Sequence, residues 1–161
     1  MRTNNEKIKN VIISVYFILI VLAILLATVF SAFQHLTSNP FLTFMVITLG
    51  FLVVFFIVHR ISKYFEYDSD GQEVIIMNKG LLLADYFNYR EHKVEFPKTG
   101  LTGFKFGNFL IYKQLTVYYN SSHGHKRKDT FNVTLVAKKK RRYIRQSLSK
   151  MIKENKKNNL I

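Results

Sequence analysis

Ten lysines and arginines stand against a single acid, Glu154, in AKKKRRYIRQSLSKMIKENKK, residues 137–157. A cationic surface of that density can hold lipid phosphates, an acidic protein face or a nucleic-acid backbone through charge-assisted contacts. A second basic group, Lys126, Arg127 and Lys128, follows His123 and His125 in HGHKRK. The two imidazoles could face a metal, but three cations follow directly and no third donor lies close in sequence, which argues against it. Asp68-Ser69-Asp70-Gly71 opens like a calcium loop. Counted from Asp68, however, position 6 is Glu73 where such a loop needs Gly, and position 12 is Lys79 where it needs Glu, so a hairpin turn is expected. Asp85, Glu91 and Glu95 could meet as a carboxylate pair, yet the bases around them favour surface ion pairs. His35 and His92 are isolated. No Gly-rich phosphate loop, nucleophile elbow or H-E-x-x-H occurs, and the absence of Cys removes thiolate chemistry, disulfides and Cys-based metal sites. The expectation is a non-catalytic protein with no cofactor and no bound metal.

The elements that carry these residues fall into two kinds. VIISVYFILIVLAILLATVFSAF, residues 11–33, runs for 23 residues without a charge, and FLTFMVITLGFLVVFFIV, residues 41–58, for 18 more. A hydrocarbon core of about 30 Å needs roughly 20 helical residues, so both qualify as spans. Helices buried in a soluble core would show a polar stripe, which these lack. The first exceeds the apolar length of a signal peptide and has no clear cleavage site, so it is expected to be retained. Arg2, Lys7 and Lys9 precede the first span, Arg60 and Lys63 follow the second, and the link Gln34 to Pro40 has no base. The positive-inside bias then places both ends in the cytoplasm, with a short external turn at Ser38, Asn39 and Pro40. Neither span has an ionisable residue in its interior, which disfavours ion conduction or transport by this chain alone. Ala23, Ala27 and Ser31 recur every fourth residue, and Thr43 and Gly50 offer small positions on the partner span. That pattern permits close helix approach, either of the two spans to each other, the favoured reading, or of another membrane protein.

The chain therefore divides into residues 1–61, a basic flank and helical hairpin, and residues 62–161, a domain with 20 Lys or Arg against 9 Asp or Glu, a net charge of +11. Short β-rich runs fill most of that domain. YFEYD, QEVIIMN, LLLADYF, HKVEF, LTGFKF, FLIYKQLTVYY and TFNVTLV make about seven strands, with NSSHGHKRKD as a polar turn before the last. The plentiful Tyr and Phe fall at alternating positions and read as core. After Val136 the period changes. Ile144, Leu148, Met151 and Ile152 form one helical face, predicting an amphipathic helix over about 137–155 whose apolar stripe needs a sheet to pack on.

About seven short strands followed by one amphipathic helix resembles a pleckstrin-homology-like domain of the bacterial type, in which two sheets form a partly open barrel plugged by the last helix. The strand VEF-Pro97 before a Gly-bounded strand, and TFNVTLV running into KKKRRYIRQSLSKMI, carry the resemblance. It implies an α+β or largely all-β fold, a binding or scaffolding role, and a small bacterial inner-membrane protein. In lipid-binding members of the wider family, bases of the first hairpin grip inositol phosphates. Here that hairpin is acidic, with Glu66, Asp68, Asp70 and Glu73, so a pocket of that kind is not expected.

Three uses for the charge compete. Lys126, Arg127, Lys128, Lys138, Lys139, Lys140, Arg141, Arg142 and Arg145 could contact anionic lipid of the inner leaflet, where each nearby base gains on the order of 1 kcal/mol. They could bind an acidic integral-membrane partner, or a second copy, making the chain an accessory subunit. Nucleic acid is disfavoured because the domain is tethered to a membrane.

Overall fold

A computed structural model describes residues 1–29, 39–80, 91–121 and 124–158. They form two units, one made of Ile8–Arg60 and the other of Met1–Lys7 together with Ile61–Ile161.

The first unit holds helices α1 (Lys9–Val29) and α2 (Pro40–Ile61). Both are long and apolar enough to cross a membrane. Their large apolar side chains are mostly exposed, among them Phe17, Ile24, Leu49 and Phe56. Asn39 starts α2 by accepting the Leu42 N–H on its side-chain oxygen at 3.2 Å, with Pro40 at the first helical position, where a missing N–H matters least. Tyr16 and Phe55 meet edge to face with centroids 5.1 Å apart. Residues 30–38, which include the expected external turn up to Ser38, lie outside the described residues.

The second unit contains two antiparallel sheets and a C-terminal helix, not a closed barrel. Strands β1 (Arg2–Asn4), β2 (Lys63–Asp68), β3 (Glu73–Gly80) and β4 (His92–Pro97) pair in that order. Strands β5 (Leu101–Asn108), β6 (Lys113–Asn120) and β7 (Lys126–Asn132) make the other sheet. Alternation places Phe65 and Tyr67 of β2, Val74 and Ile76 of β3, and Leu115, Val117 and Tyr119 of β6 in one core, as period-two patterning requires. Asn78 joins the sheets: its amide donates to the Asn132 carbonyl at 3.1 Å, and its oxygen accepts the Asn132 N–H. A Cβ on Gly100 would stand 2.6 Å from the Asn120 carbonyl, so only glycine permits the approach there.

Helix α3 (Lys138–Lys157) closes the core with Ile144, Leu148 and Met151 buried and Ile152 partly so. Asn155 is buried because its amide donates to two backbone carbonyls, Lys98 at 2.8 Å and Leu101 at 3.0 Å. Tyr67 adds a bond to the Ser147 hydroxyl at 2.9 Å, and burial raises the phenol's pKa above its ordinary value.

Four expectations need correction. Met1–Lys7, grouped above with the hairpin, belongs to the sheet unit: Arg2 pairs with Asp68 and Asn4 with Glu66, while Asn5 receives the Phe65 N–H on its side chain at 2.8 Å. Phe109 to Tyr112, read as the start of a strand, is the tip of the β5–β6 hairpin. Lys126–Asp129, read as turn, is strand, paired with Val117–Asn120. The last strand stops at Asn132, where side chains replace ladder carbonyls as acceptors: Asn132 Oδ1 takes the Thr134 N–H and Thr134 Oγ1 takes the Lys113 N–H of β6. LLLADYF lies outside the described residues.

Candidate functional site

Lys138, Arg141, Arg142 and Arg145 lie at i, i+3, i+4 and i+7 of α3, so one helical stripe presents all four. The neighbouring stripe, Ile144, Leu148 and Met151, is held in the core, and that fixes where the basic stripe points. It faces the outer end of the β5–β6 hairpin, where Phe106, Gly107 and Asn108 of β5 and Lys113 of β6 complete a groove of about 530 Å³. Among the described residues five bases line it and no acid does. Arg145 lies over the Phe106 ring, its guanidinium carbon 5.1 Å from the centroid.

This arrangement opposes helix stability on its own. Like charges three and four residues apart repel by a few tenths of a kcal/mol per pair. The first turn of α3 carries Lys138, Lys139 and Lys140 and no acid, the wrong sign for the positive end of a helix. Ala137 at the N-cap makes no side-chain bond to the free N–H groups. An anion in the groove would offset the repulsion among Lys138, Arg141, Arg142 and Arg145.

Not every base of the run is available to a ligand. Lys140 donates to the Asn4 carbonyl at 2.6 Å and ties α3 to β1. Lys139 leans over the Tyr143 ring at 5.9 Å. Lys126, Arg127 and Lys128 are exposed on β7, an edge strand, and pair in register with Asn120, Tyr119 and Tyr118. Lys113 lies at the other end of β6, roughly 20 Å away at about 3.3 Å per residue. The nine bases thus form separate patches, and the groove recruits Lys113, Gly107 and Asn108, which no local pattern in the sequence marks.

The remaining polar candidates serve the fold. Asp68 accepts the Asp70 N–H at 2.9 Å, and the Ser69 N–H donates to the Met1 carbonyl at 3.0 Å, which makes DSDG a turn held by its own side chain and by the chain's first residue. Arg2 pairs with Glu66 at 2.7 Å and reaches Asp68 at 4.0 Å, so acids of the first hairpin are engaged within their own sheet. Glu95 pairs with Lys93 at 2.7 Å; Asp85 lies outside the described residues. Asp129 accepts the Tyr119 hydroxyl at 2.8 Å and faces His92 at 3.1 Å. Burial first, then that bond, raises the Tyr119 pKa to about 12. Tyr64 rises to about 12 by burial and by its bond to Glu66. Among the described residues no three His, Asp or Glu side chains cluster as metal ligands; His35 and His123 lie outside them. Of the small-residue face, Ala23 and Gly50 are exposed, and a Cβ on Gly50 would meet nothing within 4 Å. The aromatic pair Tyr16 and Phe55 makes a contact between the two helices instead; Ser31 and the Ala27 side chain lie outside the described residues. No family model, curated protein or solved structure matches this chain.

Proposed function

We propose that the chain is a membrane-anchored, non-catalytic binding module that holds an anionic partner in the groove between α3 and the β5–β6 hairpin. The observation that carries this reading is the groove's charge: Lys113, Lys138, Arg141, Arg142 and Arg145 converge with no acid among the described lining residues. Two small sheets and a helix that buries Ile144 and Leu148 between them support a PH-like scaffold for such a module. The exposed apolar surfaces of α1 and α2 support an inner-membrane anchor. Pairing of β1 with β2 supports a topology with both helix ends on one side, since the strands before the first span and after the second join one sheet. In this setting the protein acts as an accessory subunit, or as a clamp that keeps an acidic species at the membrane.

The test uses the full chain, wild type against Arg141→Gln/Arg142→Gln/Arg145→Gln, cross-linked in intact membranes and purified in mild detergent. The wild type should retain an anionic species, acidic polypeptide or acidic lipid, and the triple variant should retain several-fold less. Equal recovery by both proteins, with matched thermal midpoints, overturns the proposal.

A further inference from the structure

The β5–β6 hairpin ends in Phe109, Leu110, Ile111 and Tyr112. The Phe109 N–H donates to the Tyr112 carbonyl at 2.8 Å, so the loop proper is the dipeptide Leu110-Ile111. Two-residue hairpin loops favour Asn, Asp and Gly, whose backbones reach the required turn without strain. An aliphatic pair gives the turn no help. Burial does not account for it either, because Leu110 is 100% exposed, Phe109 57% and Ile111 58%. Apolar residues of this size elsewhere in the sheet unit, such as Leu101, Leu115 and Leu148, are fully buried. Nothing in folding selects three large apolar side chains in a row at a projecting tip.

The tip and the groove are continuous. Gly107 and Asn108 lead into the tip on β5, Lys113 leaves it on β6, and all three line the groove beside Arg141, Arg142 and Arg145. A Cβ on Gly107 would stand 3.3 Å from the Phe109 ring and 2.9 Å from Gln114, so glycine lets the ring fold close to the strand at this junction. An apolar point within a cationic collar matches a surface that is anionic outside and hydrocarbon a few ångströms below. An acidic protein face or a nucleic acid would satisfy the collar and leave Leu110 in water.

We infer that the Phe109–Ile111 tip inserts into the acyl boundary of an anionic bilayer while the groove holds the lipid phosphates around it. This rests on the anion-binding reading of the groove and assigns its occupant as acidic phospholipid.

The chain has no Trp, so Leu110→Trp places a single indole at the tip. The full chain with that substitution is reconstituted in nanodiscs of phosphatidylcholine with phosphatidylglycerol, or of phosphatidylcholine alone, each with acyl-brominated lipid as quencher. In anionic discs the emission should shift to the blue and fall by roughly twofold or more, as for an indole buried at the acyl boundary. In neutral discs, and in anionic discs after adding Arg141→Gln/Arg142→Gln/Arg145→Gln, it should resemble an indole in water. Unquenched, water-like emission in anionic discs overturns the inference. The groove reading then still stands if the triple variant loses its anionic species in the cross-linking experiment. Quenching that is equal in both lipid compositions and in the triple variant overturns the groove's part in docking. Leu110→Asp supplies a second readout, judged on the same discs by an indole at Ile111→Trp, which should lose its quenching.

Discussion

Two hairpin tips of the same domain solve the same geometric problem with opposite chemistry. The β2–β3 turn is built of Asp68, Ser69, Asp70 and Gly71, and its polar groups are satisfied within the fold: Asp68 holds the Asp70 N–H, and Ser69 holds Met1. The β5–β6 tip is built of Phe109, Leu110, Ile111 and Tyr112; Leu110 is fully exposed, and Phe109 and Ile111 are more than half exposed. A turn that is complete needs no partner. One that keeps its most hydrophobic residues in water, beside a cationic groove, is what the proposed contact with a bilayer calls for.

The sharpest test of this contrast compares one residue type in two settings. Leu148 is fully buried on α3 and Leu110 fully exposed at the tip. Leu148→Ala should destabilise the domain by about 3 kcal/mol, transfer and cavity terms together. Leu110→Ala should leave the midpoint of denaturant unfolding in detergent nearly unchanged. A loss above about 1 kcal/mol from Leu110→Ala would mean that the tip has a folding role after all.

Exchanging turn chemistry sharpens it further. Asp68→Ala removes the acceptor of the Asp70 N–H and should cost about 1 kcal/mol. Leu110→Asn with Ile111→Gly gives the second tip the residues that two-residue hairpin loops favour and should stabilise the fold by a few tenths of a kcal/mol. That gain would come with loss of bilayer docking, the pattern expected of a site kept at the expense of stability.

The smallest effect concerns two tyrosines that brace the sheets. Tyr64 and Tyr119 titrate near 10 when unfolded and are raised to about 12 in the fold, by burial first and by Glu66 and Asp129 second. A raised folded value means that the neutral phenol is favoured by folding. Their contribution is fully present below pH 10 and is lost as pH climbs from about 10 through about 12. Tyrosinate absorbance of the folded chain should therefore show a late-titrating component that Asp129→Asn shifts to lower pH.

Much of this architecture was legible in the sequence where periodicity carries it. The two apolar helices, the sheet strands with alternating Phe65, Tyr67, Val74 and Ile76, and the α3 face of Ile144, Leu148 and Met151 each repeat at the period of the element they form. What escaped has no period. Strand β1 is Arg-Thr-Asn, polar throughout, and its place depends on register with β2 and on Asn5, whose side chain bonds Lys63 and Phe65 more than 50 residues away. FLIY reads as strand because its residues favour strands, and the turn wins only because Asn108 and Lys113 pair across it. Of the groove, Lys138, Arg141, Arg142 and Arg145 stood out as charge, yet their alliance with Lys113, Asn108 and Gly107 arises from packing between elements distant in sequence.

Strand β1 has one further consequence, for the order of events during synthesis. Its residues precede both apolar helices in the chain, whereas the strand they pair with, Lys63–Asp68, emerges only after them. In the proposed topology the sheet cannot be completed until the second helix has brought the chain back to the side where Arg2 waits. A chain that crossed once, or failed to return, would leave the edge of β2 bare and open to pairing with other chains. In that topology the three-residue strand would act as a latch, closing only on a correctly threaded hairpin.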